Sequence, residues 1–156
     1  MKTRAGHAAR IGMTTFALAC LTVAAQSAEI PASIRAEYEN ADSEGCKLAP
    51  QAVQSLDLQG DGTPYYLVDN AKLACPGSNP YCGSGGCGLD VFTGKAGGFV
   101  RILQDIVQSY RVSKAGAGYE LQARHKSEKP SRYRFKGGCA VEIGSAEPPS
   151  CGEIGK

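Results

Sequence analysis

Cysteine constrains this chain more than any other residue type. Cys46, Cys75, Cys82, Cys87, Cys139 and Cys151 are spread from residue 46 to near the C-terminus, and Cys20 lies near the start. There is no Cys-x-x-Cys pair, and beyond residue 28 the only histidine is His125, so zinc-ligand spacing is missing. An even set of six in an exported chain reads as a disulfide framework, for which roughly fifteen pairings are formally open. The short spacing favours Cys82–Cys87 as a local bridge. Cys139–Cys151 would then tie down the C-terminal tail, and Cys46–Cys75 would close the segment around residue 57.

Export itself is read from the N-terminus. Met1–Arg10 carries Lys2, Arg4 and Arg10 with no acidic residue, Ile11–Ala25 is apolar or small, and Ala25-Gln-Ser-Ala28 precedes Glu29. This is the layout of a secretory signal peptide over residues 1–28, cut before Glu29. No second apolar run is long enough to span a bilayer, so no transmembrane anchor is expected. Residues 29–156 then form a single compact domain with a flexible tail from about residue 144. Removing Lys2, Arg4 and Arg10 leaves 14 of the 17 basic residues against all 15 acidic ones, so the apparent net charge of +2 becomes −1. With that balance, an exported location and no reader helix or stacking motif, nucleic acid is excluded as a partner.

The expected fold class is α+β, mainly β: an antiparallel meander sheet with a short N-terminal helix, stapled by disulfides. Pro31–Ala41 reads as the helix, with Pro31 in its first turn and Ile34 and Tyr38 as an i,i+4 apolar pair. Leu48–Leu58 suits either helix or strand. Tyr66–Val68 reads as a strand, and 70–75 as the end of one. Pro76–Gly88 has loop composition. Leu89–Phe92 and Phe99–Leu103 read as a hairpin joined by a long glycine-containing turn, and Ile106–Val112 as one further strand. Tyr119–His125 alternates with Tyr119, Leu121 and Ala123 on one face. Arg132–Lys136 alternates with Tyr133 and Phe135 inward, and Gly137-Gly138 turns the chain into a last strand from Cys139 to Ile143.

The best-shaped local signal is Asp57-Leu-Gln-Gly-Asp-Gly-Thr-Pro-Tyr-Tyr-Leu-Val-Asp69. Oxygen donors alternate at Asp57, Gln59 and Asp61, and Gly60 and Gly62 permit tight folding. The same residues suit a turn in which Asp side chains bond their own backbone. The stretch resembles the Asp-x-Asn-Gly-Asp-Gly loop of FG-GAP and VCBS-type repeats and the first half of an EF-hand loop. That resemblance implies Ca²⁺ held by Asp57, Gln59, Asp61 and the Thr63 carbonyl; Asp69, one residue past the EF-hand closing position, or a distant acidic residue such as Asp42 would have to complete the shell. It covers one copy only, and Tyr65 and Val68 stand where the related loops place carboxylates. The whole chain resembles small exported alphaproteobacterial proteins of unassigned function that combine this loop with a Cys-Gly-Ser-Gly-Gly-Cys loop and a Gly-Gly-aromatic strand start.

Three functional classes follow. The first is a noncatalytic periplasmic or secreted domain that binds an envelope protein or glycan, similar in size, export and disulfide character to periplasmic lysozyme inhibitors. Its candidate binding stripe is Arg124, Lys126, Arg132, Arg134 and Lys136, outward on alternating strands; solubility alone also accounts for such a stripe. The second is a calcium-stabilised structural module. The third is a cell-envelope glycan hydrolase, which needs paired carboxylates such as Asp90 and Glu120 across a cleft. No catalytic set stands out. Ser84 lies in neither a P-loop nor a Gly-x-Ser-x-Gly elbow, and a serine triad would have to use His125.

Overall fold

The computed structural model describes residues 29–39, 45–95, 97–126 and 129–151. The signal-peptide expectation for residues 1–28 falls outside them. The helix is α1, Ala32–Tyr38, entered through Pro31, whose φ of −54° already matches a helical residue. Ile34 and Tyr38, one turn apart, are both buried. Just beyond the helix, the Glu39 carboxylate accepts the Leu48 N–H at 3.0 Å. Lys47 and Ala74 exchange two backbone bonds beside the Cys46–Cys75 bridge, which fixes this N-terminal segment against the sheet.

Leu48–Leu58 resolves into a 3₁₀ turn, Pro50–Ala52, followed by strand β1, Val53–Leu56. The expected strand end at 70–75 is instead a second 3₁₀ turn, Asn70–Lys72, because the Asp69 carboxylate caps the Ala71 N–H at 3.1 Å. The first sheet comprises β1, β2 (Tyr65–Asp69), the two-residue β3 (Cys82–Gly83), β4 (Gly86–Lys95) and β5 (Gly98–Val107). β1, β2, β4 and β5 run antiparallel side by side, with β3 pairing the start of β4. Two corrections arise here. The turn between β4 and β5 is tight, not long, since Lys95 already pairs with Gly98. The end of the expected loop 76–88 is a short hairpin, with Cys82 and Gly83 paired to Cys87 and Gly86 and the expected Cys82–Cys87 bridge across it.

The second sheet is a four-stranded meander of β6 (Ser109–Ala115), β7 (Gly118–Arg124), β8 (Ser131–Lys136) and β9 (Cys139–Glu142). Its final bridge, Cys139–Cys151, brings Ser150 into a two-bond exchange with Ala140. All three expected pairings are therefore present. The single expected strand 106–112 is divided at Gln108, where the chain leaves the first sheet for the second.

The two sheets share one apolar core. Tyr65 and Leu67 of β2, Leu89 and Val91 of β4, and Ile102 of β5 meet Leu121, Ala123 and Phe135 of the second sheet. The opposite side of the first sheet presents Tyr66, Val68 and Phe92 to Ile34, Tyr38 and Leu48. β2 is thus covered on both faces, which is why Tyr65–Val68 is continuously apolar instead of alternating. Fully burying each such side chain contributes about 1.5–3 kcal/mol before entropy is subtracted. No helix among the described residues is long and apolar enough to cross a membrane.

Candidate functional site

Three regions bring polar groups together. The first is the loop before β2. Asp57 accepts the N–H groups of Gly60 and Asp61 on Oδ1 at 2.7 and 3.1 Å, and that of Gly62 on Oδ2 at 2.9 Å. Asp61 accepts the Thr63 N–H at 2.9 Å, which holds its carboxyl below the usual carboxylate range. Gln59 donates its amide to Asp61 and accepts from the Tyr65 hydroxyl. Asp57, Gln59, Asp61 and Thr63 are therefore together, engaged with one another and with their own backbone. Asp69 is not with them. It lies at the far end of β2, about 13 Å along the strand, bound to Ala71, the Tyr110 hydroxyl at 3.2 Å and Lys72 at 2.9 Å. No group of three or more His, Cys, Asp or Glu among the described residues is placed to hold a metal ion. The loop instead docks the two sheets: the Tyr119 N–H donates to the Leu58 carbonyl at 2.9 Å, and Gly60 lies against the backbone of Ala117.

The second region is a cleft of ≈ 620 Å³ where β5, β7 and β8 converge, lined by Asp105, Ile106, His125, Lys126, Ser131 and Tyr133 among others. Asp105 accepts the Ile106 N–H at 2.8 Å and the Tyr133 hydroxyl at 3.1 Å. His125 Nδ1 lies 3.1 Å from the Ile106 carbonyl, which accepts, so Nδ1 carries the proton. The Asp105 carboxylate is 3.6 Å from the same nitrogen, while Nε2 is buried without a partner. Burial, with the Asp105 charge adding to it, pushes the Tyr133 hydroxyl up to about 12. Asp105 and His125 therefore close the hydrogen-bonding groups of one edge residue. His125 turns to Ile106 and not to Ser84, so no serine triad forms. Asp90 and Glu120, the carboxylates considered for glycan hydrolysis, are not brought together. Asp90 is buried under α1 with Tyr38, Asn70 and Arg101, and Glu120 lies on the second sheet with Arg132 and Arg134.

The third region is the outer face of the second sheet. Arg132, Arg134 and Lys136 project from β8 and Arg124 from β7, all exposed, opposite buried Leu121, Ala123 and Phe135. Lys126 lies beyond the end of β7 and lines the cleft instead. Glu120 accepts from Arg132 Nε at 2.7 Å and lies 3.7 Å from Arg134. The Arg132 hydrogen bond, with both guanidinium charges, holds the Glu120 carboxyl below its usual range. Arg111 on β6 joins this face and was absent from the expected stripe. Its signal is the alternation Ser109-Tyr-Arg-Val-Ser113, in which Tyr110 and Val112 pack inward and Arg111 points out. Register places Arg111 opposite Gln122 and Gln122 opposite Arg132. Arg111, Gln122 and Arg124 line a shallow groove of ≈ 210 Å³. No family model, characterised protein or solved structure matches the chain.

Proposed function

We propose that this chain is an exported, noncatalytic binding domain whose docking surface is the outer face of the second sheet and whose partner is anionic. The observation that carries this reading is the state of Arg111 and Arg124. They flank one groove on neighbouring strands, and no described carboxylate lies within ion-pair reach of either. Guanidinium forks match carboxylate or phosphate oxygens two at a time, so a pair without a partner within the chain is suited to an outside one. Among the described residues, only Glu120 opposes the basic residues of this face, and it is already shared between Arg132 and Arg134. Three disulfides support an oxidising compartment such as the periplasm or the exterior.

The test is titration of residues 29–156 with poly-L-glutamate, followed by calorimetry at low and at physiological salt. The expected result is binding that weakens as salt rises, because the contact is between solvent-exposed charges. The double variant Arg111→Glu, Arg124→Glu should lose it while keeping the wild-type circular dichroism spectrum. Equal binding by the folded double variant would remove the proposed face.

A further inference from the structure

We propose that the open edge of β6 accepts an extended acidic segment of the partner as a fifth strand of the second sheet. This rests on the outer basic face being the docking surface and specifies how the partner engages it.

A sheet edge exposes N–H and C=O groups that another chain can pair with, and folded proteins usually block it. The other edge strands here are covered, very short, or closed at one end. β9 is covered by the tail, where Ala140 and Ser150 exchange bonds of 2.7 and 2.8 Å. The end of β5 is closed by side chains, with Asp105 taking the Ile106 N–H and His125 donating to its carbonyl. β1 has only four residues, and the first of them donates its N–H to the Pro50 carbonyl. β6 is different. Its seven residues pair with β7 alone, and among the described residues nothing bonds its other edge.

Side-chain alternation specifies what fits there. Ser109, Arg111 and Ser113 lie on the outer face, and Tyr110 and Val112 are half-buried against the core on the inner one. A strand laid alongside would set every second residue on the face of Arg111, one of them next to the groove that Arg124 shares. The residues between would cover Tyr110 and Val112. Alternating acidic and apolar residues therefore satisfy both faces. A second copy of this chain fits less well, since its β6 would add Arg111 and Lys114 to an edge that is already cationic. Main-chain bonds supply affinity in such an addition, and the alternate side chains supply selectivity.

The experiment uses the folded chain 29–156 and the labelled peptide acetyl-Glu-Val-Glu-Val-Glu-Val-Glu-amide, read by fluorescence anisotropy, with poly-L-glutamate in parallel. Two further peptides are N-methylated, one on its valines and one on its glutamates, which blocks opposite edges of the strand. One methylated peptide should bind at least about tenfold more weakly than the parent, and the other should match it, since two or three lost hydrogen bonds suffice for that factor. Arg111→Glu should weaken the parent by a similar factor. Equal affinities for the two methylated peptides, or no peptide binding where poly-L-glutamate still binds, overturn strand addition and leave the charged-face reading standing. Failure of both peptide and poly-L-glutamate to bind overturns both.

Discussion

Two of the places where arginine meets carboxylate in this fold stand under opposite conditions. Between α1 and the first sheet, Asp90 is 1% exposed and accepts from Tyr38 at 2.6 Å and Asn70 at 2.8 Å, with Arg101 Nε 3.4 Å away. On the outer face of the second sheet, Glu120 holds Arg132 and Arg134, which are 51% and 64% exposed. The inner group is fixed by packing. A bulge between Val91 and Phe92 shifts the β5 register so that Arg101 stands opposite Phe92, its guanidinium over that ring and in contact with Glu37 of α1. The outer group is held in water, where ion pairs contribute little and rearrange freely. The difference teaches where this protein uses charge for architecture and where it leaves charge available to a partner.

The largest expected effect comes from breaking the inner group. Asp90→Ala strands the Tyr38 hydroxyl and the Asn70 amide and removes a buried ion-pair partner. We expect a loss of about 3 kcal/mol, the lower end for such a break, because Arg101 keeps Glu37. Urea denaturation measures it. Glu120→Ala should leave the urea midpoint where it was, and comparable losses in the two variants would erase the contrast between the regions.

The outer region was largely legible in the sequence and the inner one was not. Alternation over 119–136 gives β7, β8 and their outward arginines directly, and Gly137-Gly138 gives the last turn. Asp90, Tyr38 and Asn70 are joined across 52 and 20 residues, and no local period links them. The same holds for Asp105, His125 and Tyr133, which come from β5, the end of β7 and β8 in two different sheets. Arg111 was hidden because 106–112 looks like one β-rich run, whereas the chain changes sheet inside it at Gln108. The Asp57 loop was readable as a turn. Its second role, docking against Ala117, depends on a hairpin nearly 60 residues away.

That loop repeats the contrast between packed and solvated on a smaller scale. Gly60 and Gly62 have φ of 83° and 84°, so an alanine at either incurs the same backbone strain, about 1–2 kcal/mol. They differ in surroundings. A Cβ on Gly60 would lie 2.3 Å from the Ala117 carbonyl oxygen, and one on Gly62 would meet nothing within 4 Å. Gly60→Ala should therefore cost more than Gly62→Ala, by about 1 kcal/mol or more, as overpacking adds to strain. Equal midpoints for the two variants in thermal or urea melts would mean that the loop does not dock the sheets.

Tyrosine ionisation compares two environments without substituting a charged residue. Burial, then the Asp90 charge, pushes the Tyr38 hydroxyl far above the usual tyrosine range. Tyr133, in the half-open cleft, is pushed up only to about 12. A raised folded value means that the protonated form is favoured by folding. The Tyr133 contribution is thus fully present below the unfolded value of 10.0 and is lost as pH rises from there to about 12. Subtracting the ultraviolet titration of Tyr133→Phe from the wild type should reveal one ionisation near pH 12. Tyr38 should ionise only as the protein unfolds. A Tyr133 transition at ordinary tyrosine pH would show that the cleft is fully wet.

The smallest expected effect lies on the outer face, and it concerns binding instead of stability. Glu120 is the one carboxylate on that face among the described residues, and its carboxyl is held down chiefly by the Arg132 hydrogen bond and then by the Arg132 and Arg134 charges. A lowered folded value places its contribution above the ordinary 4.5, to be lost only as pH falls through the lower folded value. Between neutral pH and 4.5 the ion pairs therefore stay intact, and changes in polyanion binding over that range do not come from Glu120. Glu120→Gln removes the charge at every pH and frees both arginines. It should tighten poly-L-glutamate binding at low salt, steepen its salt dependence, and leave the urea midpoint unmoved. If the variant instead bound more weakly, Glu120 would be positioning Arg132 and Arg134 for the partner, and the outer region would be as ordered in function as the inner one is in structure.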